Sequence, residues 1–305
     1  MDIIIGSRGS KLALAQSEEV KRHIEALNSD YHVSIKVIST KGDQILDKPL
    51  NQIGDKGLFT KEIEEQLLDG RIDIAVHSMK DMPSSLKEGL VFAGTLTPSD
   101  PRDCLVFNKG YQHIDDLPLG ATIGTGSPRR KSQLLKLRPD LNIVGIRGNV
   151  QTRLSKMESE NMDGIVLACA GLKRLGLDHL IGYAFDFDQM VPACCQGVLA
   201  LEVKEGSSML DIISKIENKE ANERLRLERL YLQTIGGTCH EPIGCHIENN
   251  KMYAVFGNED GSYIVTTKND LEGDIEAQIK EIALSLKAEV EMFMSLDVEA
   301  KKDKS

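Results

Sequence analysis

The sequence has no apolar run long enough to span a bilayer, no basic excess, no disulfide framework and no nucleotide-binding loop. Each absence removes a class of function. Without about 20 consecutive apolar residues there is no membrane span. The start, Met1-Asp2-Ile3-Ile4-Ile5-Gly6, lacks the basic region and apolar core of a signal peptide. A net charge of −10 argues against nucleic acid as the main partner, because phosphate backbones are met by basic surfaces. The six cysteines (Cys104, Cys169, Cys194, Cys195, Cys239 and Cys245) do not form a disulfide pattern for this length, which points to a reducing cytoplasm. No G-x-x-x-x-G-K-S/T is present, and no G-x-G-x-x-G opens a helix after a strand.

What is present suits a soluble globular protein of two or three domains, with 305 residues to bury a core. Basic residues cluster locally within this acidic chain. That combination suggests a small anionic ligand in a cleft, with an acidic exterior keeping the protein soluble.

Strand and helix alternate through the first half. Ile3-Ile4-Ile5 reads as a strand and Lys11 to Leu27 as a helix, with Leu12, Ala15, Val20 and Ile24 on one face. Val33 to Ser39 reads as a strand, Thr60 to Leu68 as a helix and Ile72 to His77 as a buried strand. The order then recurs: a strand at Ala121 to Gly124, a helix from Lys131, a strand at Asn142 to Ile146, a helix at Val150 to Ser159 and a strand at Asp163 to Ala168. Ile5-Gly6-Ser7 echoes Ile123-Gly124-Thr125, and Asp73-Ile74-Ala75-Val76 echoes Asp163-Gly164-Ile165-Val166. The expected fold is therefore α/β: two similar lobes, like those of periplasmic binding proteins, facing a cleft. Pro98-Ser99-Asp100-Pro101 marks the crossing to the second lobe. Pro192 to Gly197 marks the return, with Leu199 to Val203 as a strand rejoining the first lobe. A charged helix at Glu217 to Leu232, strands at Met252 to Val255 and Tyr263 to Thr266, and a helix at Ile275 to Met294 form a small α+β third domain. The expected boundaries are 1–97 with 198–216, 98–197, and 217–305.

Chemistry concentrates at strand-to-helix turns. Ile72 to His77 runs into Ser78-Met79-Lys80-Asp81, at the strand end where ligands of α/β sheets sit. The same pair also suits a surface ion pair. Arg8, Arg129, Arg130, Arg147 and Arg153 follow corresponding strands, and a guanidinium fork matches carboxylate or phosphate. An Arg-rich extended cleft suits a ligand with many carboxylates. Cys239 lies in the loop Gly236-Gly237-Thr238-Cys239-His240-Glu241-Pro242-Ile243-Gly244, where a thiol can be a nucleophile, an attachment point or a small buried residue. Cys239, His240, Cys245 and His246 fit no standard zinc spacing, so no metal is expected. Cys194-Cys195 reads as packing, and His77 as a hydrogen-bond partner of a neighbouring loop. The Gly-containing stretch from Thr40 to Gly57 has no helical or strand period, so it reads as a lid or as a surface loop without a role.

Several of these segments together resemble the porphobilinogen deaminase (hydroxymethylbilane synthase) family. They are His77-Ser78-Met79-Lys80-Asp81-Met82-Pro83, Gly124-Thr125-Gly126-Ser127-Pro128-Arg129-Arg130, Ile146-Arg147-Gly148-Asn149-Val150 with Thr152-Arg153-Leu154, Ala170-Gly171-Leu172-Lys173-Arg174-Leu175-Gly176, and Cys239 before Pro242-Ile243-Gly244. The resemblance runs in order from Ile5 to about Gly261. It implies a transferase that condenses four porphobilinogen molecules head to tail, with loss of ammonia, for haem biosynthesis. It also implies a dipyrromethane cofactor joined by a thioether at the position of Cys239. Asp81 matches the catalytic aspartate. Lys80, Asp81, Thr125, Ser127, Arg129 and Arg130 match cofactor-binding residues. Arg8, Ser78, Arg147, Arg153, Arg174 and Gln196 match substrate-binding residues, and Lys56 and Phe59 belong to the lid. A cytoplasmic monomer without nucleic-acid or membrane partners is expected. The chain departs from the family pattern at Cys195, where Gly is usual, at Gly126 and Pro128, where Ser and Leu are usual, and at Thr238, where Gly is usual. A solute receptor would share the lobes but need neither Asp81 nor Cys239. An anion-sensing regulator would need a basic recognition helix, which is not seen.

Overall fold

A computed structural model describes residues 1–44, 60–83, 85–236, 241–258 and 261–302. The chain opens with β1 (Asp2–Ser7), α1 (Lys11–Glu25), β2 (His32–Val37), the short α2 (Lys41–Gln44), α3 (Lys61–Leu68), β3 (Ile74–Ser78) and β4 (Leu90–Gly94). It then forms β5 (Asp103–Phe107), β6 (Thr122–Gly124), α4 (Pro128–Leu137), β7 (Asn142–Val144), α5 (Val150–Ser159), β8 (Gly164–Ala168), α6 (Cys169–Arg174) and β9 (Tyr183–Ala184). It returns through β10 (Leu199–Lys204) and α7 (Met209–Ile213). It ends in α8 (Lys219–Ile235), β11 (Gly244–Glu248), β12 (Lys251–Gly257), β13 (Ile264–Asp270) and α9 (Ile275–Lys302).

Two five-stranded sheets share one plan. Their orders are β2-β1-β3-β10-β4 and β7-β6-β8-β5-β9. In each, the first three strands are parallel and the fourth runs antiparallel to its neighbours. The fourth strand is in both cases the one that has just crossed from the other sheet. The central strands β3 and β8 are buried almost throughout, which explains their unbroken apolar runs.

The echoes in the sequence have a physical basis. Asp73 accepts from the Ile4 amide at 2.7 Å, and Asp163 accepts from the Thr122 amide at 2.9 Å, so each carboxylate ties the start of one central strand to the next. Gly6 and Gly124 sit where a Cβ would fall 2.3 Å from Ile72 and 2.8 Å from Met162, the residues two before each following strand. Side chains from corresponding places in the two sheets therefore need the space of a missing Cβ.

Local chemistry sets the helix starts. Ser10, Ser127, Asn149 and Asn218 cap α1, α4, α5 and α8, accepting from the third residue onward in each case. Helix α4 begins at Pro128 rather than Lys131, because proline suits the first helical position, where its missing N–H is not needed. The buried face of α1 is Ala13, Gln16, Ser17, Val20 and Ile24; Leu12 and Ala15, expected on that face, are only half-buried, and Leu12 lies toward Gly171 of α6. Strands β4, β5 and β11 were not legible as strands. His77 reaches a strand instead of a loop: its Nε2 lies 3.2 Å from Oε2 of the buried Glu202 on β10.

The third unit, an antiparallel sheet β11-β12-β13 with α8 and α9, does not stand apart. Its core includes Met79, Met82, Cys194, Cys195 and Val198 together with Leu225, Tyr231 and Met252. Glu228 on α8, 1% exposed, joins the pieces. It accepts from the Cys195 amide at 2.5 Å and the Ile247 amide at 3.2 Å, and lies 3.2 Å from His246 Nδ1. Glu228→Leu strands those donors in the interior, so it should lower unfolding stability by about 3–5 kcal/mol in urea titration, whereas Glu228→Gln should lose less. Equal, small losses in both variants would show that the buried carboxylate does not hold this junction.

Candidate active site

The turn after β3 is built by burial. Met79 and Met82 point into the core shared with the third unit, and the Met79 amide donates to Val198 O at 3.0 Å. The single helical turn Met79–Asp81 between them therefore presents Lys80 and Asp81 away from that core. Asp81 is exposed. Lys80 Nζ donates to Gln196 Oε1 at 3.2 Å. Burial pulls the Lys80 ammonium down to about 8, against the support of Asp81, and Arg130 adds to the fall.

Across from this turn, Thr125 and Ser127 shape the start of α4. The Ser127 amide donates to Thr125 Oγ1 at 3.2 Å, and the Arg130 amide donates to Ser127 Oγ at 3.4 Å. Arg129 and Arg130 are nearly buried and converge on Asp103, the first residue of β5 and fully buried. Arg129 Nη1 donates to Asp103 Oδ2 at 2.7 Å; Arg130 donates to Oδ1 from Nη2 at 2.7 Å and from Nε at 3.0 Å. Gln196 Nε2 donates to the same Oδ1 at 2.9 Å. Burial alone would raise the Asp103 carboxyl, but the two guanidinium groups hold it well below the usual carboxylate range.

Arg153 Nε donates to Gly148 O at 2.8 Å. Burial, together with Arg130, lowers its guanidinium to about 10, Asp81 opposing and Arg147 adding. Arg147 is half-buried, and its Nη1 is buried without a hydrogen-bond partner. Lys80, Asp81, Arg129, Arg130, Arg147, Arg153 and Gln196 thus form one electrostatic neighbourhood at the carboxyl ends of β3, β6 and β7. Arg8 is half-buried at the turn after β1, and Ser78 accepts from Gln16 Nε2 at 2.8 Å. Arg174 lies apart from the cluster. Its Nε donates to Glu19 Oε2 at 3.0 Å and its Nη2 to Gly197 O at 2.9 Å, so it clamps α6 to α1 and to the return segment. Cys239, Lys56 and Phe59, like most of the expected lid, lie outside the described residues.

Asp103, Glu19 and Glu228 escaped sequence reading. A carboxylate opening an apolar run, as in Asp103-Cys104-Leu105-Val106, was the available signal, but a solvated strand end gives the same letters.

Five cations (Lys80, Arg129, Arg130, Arg147, Arg153) face two carboxylates (Asp81, Asp103) in this neighbourhood. That surplus, with the orphaned Arg147 nitrogen, suits a ligand bearing several carboxylates. The family model described as "Porphobilinogen deaminase, dipyromethane cofactor binding domain" matches residues 3–211. The chain belongs to the porphobilinogen deaminase family. A porphobilinogen deaminase of Clostridioides difficile is 47% identical over 291 residues, covering 94% of this chain and 96% of that protein. One from Clostridium novyi is 48% identical over 284 residues, covering 90% and 94%. Among solved structures, the methionine-binding protein MetQ is 13% identical with a TM-score of 0.45, covering 75% of this chain and 94% of that one. The probable amino-acid ABC transporter extracellular-binding protein YtmK of Bacillus subtilis is 14% identical with a TM-score of 0.41, covering 75% and 97%.

Two departures from the deaminase pattern have local consequences. Cys195 adopts φ +60°, the left-handed region where glycine is at ease and another residue is strained by roughly 1–2 kcal/mol; its side chain is buried in the core beneath the turn. Gly126 passes so close to β7's end that a Cβ would lie 2.9 Å from Ile146 O. A backbone oxygen cannot rotate aside, so Gly126→Ala should cost about 1–3 kcal/mol and lower the thermal midpoint. An unchanged midpoint would mean that the loop has free room here.

Proposed function

We propose that this protein joins four porphobilinogen molecules head to tail into hydroxymethylbilane, releasing one ammonia per addition, on a dipyrromethane bound through a thioether to Cys239. The observation that carries this reading is the surplus of buried and half-buried cations around Lys80 and Asp81 in a chain of the deaminase family. Each porphobilinogen brings an acetate and a propionate, and a cleft with five cations against two carboxylates can take up such charges. We further divide the chain into 1–97 with 198–216, 98–197, and 217–305, in keeping with the membership of the three sheets.

Lys80, Thr125, Ser127, Arg129 and Arg130 hold the cofactor, which supplies the nucleophilic pyrrole carbon for the first addition. Arg8, Ser78, Arg147 and Arg153 bind the substrate, while Arg174, held by Glu19 and Gly197, and Gln196, held between Lys80 and Asp103, brace the segments around it. Asp81 acts at the reacting ring. As the C–N bond of porphobilinogen breaks, its electron pair leaves with ammonia and positive charge spreads onto the pyrrole nitrogen. The Asp81 carboxylate stabilises that charge. It then moves the protons, since the attacking ring must lose its α-proton once the new C–C bond forms. The exposure of Asp81 leaves it accessible to a substrate, and Met79 and Met82 anchor its turn on both sides.

The other cysteines support the assignment of Cys239. Cys104, Cys169, Cys194, Cys195 and Cys245 are all buried. Burial pushes the Cys194, Cys195 and Cys245 thiols up, away from the reactive thiolate. The denatured protein should carry the extra mass of two linked pyrroles, and Cys239→Ala should lack it; an adduct on another cysteine sinks the assignment. Asp81→Asn keeps the shape and removes the charge. It should retain the adduct and consume porphobilinogen at least about a hundredfold more slowly. Near-normal turnover in that variant would leave Asp81 without its role.

A further inference from the structure

We propose that Asp103 is a positioning residue, fixing Lys80 in the cleft through the side-chain amide of Gln196 while it holds Arg129 and Arg130 directly. The proposal rests on the reading of the cleft given above, yet the readout that decides it is the Lys80 signal and not turnover. Asp103 is 0% exposed and Gln196 2% exposed. The orientation of the Gln196 amide follows from its neighbours. Its nitrogen faces two acceptors, Asp103 Oδ1 at 2.9 Å and Pro101 O at 2.7 Å, and its oxygen faces the Lys80 ammonium at 3.2 Å. An ammonium only donates and a carboxylate only accepts. Turning the amide over would set donors against donors and acceptors against acceptors. The chain Lys80–Gln196–Asp103 is therefore directional.

Its members come from three segments: Lys80 from the end of β3, Gln196 from the return segment and Asp103 from the start of β5. The link spans both connections between the sheets, so it registers a cation of the first sheet against the two arginines of the second. The charged groups acting on Lys80 are Asp81 on its own turn, Asp103 on β5, and Arg129 and Arg130 on α4. The two carboxylates support the ammonium; burial and the arginines oppose it. Losing the Asp103 charge removes one of the two supports.

The test is a titration of the purified enzyme labelled with 13C-lysine, with the Lys80 ε-carbon signal assigned by its loss in Lys80→Arg. In Asp103→Asn the Lys80 midpoint should fall by roughly one unit or more, the size expected from one nearby charge. The alkaline limb of kcat/KM should move to lower pH with it, and the shift should vanish in the Lys80→Arg, Asp103→Asn double variant, because arginine does not titrate there. A merely structural role would lower stability or yield without moving the Lys80 signal. Should Asp103→Asn fail to fold, Gln196→Leu leaves both arginines on Asp103 and breaks the link together with the bond to Pro101 O; the Lys80 midpoint should fall there too. An unmoved Lys80 signal in either folded variant overturns the proposal. A shifted signal in a protein that consumes no porphobilinogen would uphold the coupling and sink the functional reading instead.

Discussion

A carboxylate with no access to water organises this molecule. Asp103 accepts four hydrogen bonds from Arg129, Arg130 and Gln196. An isolated charge in such a place would be too costly to bury, and removing one partner of a buried pair typically costs about 3–5 kcal/mol. The arrangement is stable only if two arginines, the crossing strand and the return segment all arrive together. The same constraint makes the cleft cationic. Two guanidinium groups share one carboxylate, which leaves this neighbourhood with excess positive charge.

The second constraint is the support behind the Lys80–Asp81 turn. Lys80 and Asp81 stand on a single helical turn, which has little stability alone. Met79 and Met82 bury on either side of the pair, in a core built jointly by the return segment and the C-terminal sheet and helices. Glu228 then bonds the return segment to β11. The third unit holds up the turn from behind, and its own connection between α8 and β11 carries Cys239. The Lys80–Asp81 turn and the C-terminal unit thus share one core, although more than 140 residues separate Asp81 from Leu225 in sequence.

Much of the architecture was legible because the two sheets repeat the same physical problem. Asp73 and Asp163 lie at the same place before a central strand, and Gly6 and Gly124 leave the same gap for a neighbouring side chain. The expected positions of α5, β3, β8 and β10, the strands read from apolar runs, agree to within a few residues. Strands β4, β5 and β11 were missed because their letters carry no distinct signal: Leu90-Val91-Phe92-Ala93-Gly94 is short, and Gly244-Cys245-His246-Ile247-Glu248 mixes small, polar and apolar residues. Arg129 and Arg130 were expected at the cofactor. Their shared bond to Asp103 could not be expected, since it joins residues 26 and 27 positions apart across a strand–helix layer.

The sequence by itself determined which residue types stand at the strand ends, the doubled α/β plan and the family, because turn chemistry, apolar periodicity and motif order are local properties of the chain. Tertiary structure alone decided which charges meet. It paired Arg174 with Glu19 instead of leaving it in the cation cluster, set Gln196 between Lys80 and Asp103, and buried His77 against Glu202. The reason is physical. A side chain's charge is written in its letter, but its partner and its distance from water depend on how separate segments pack.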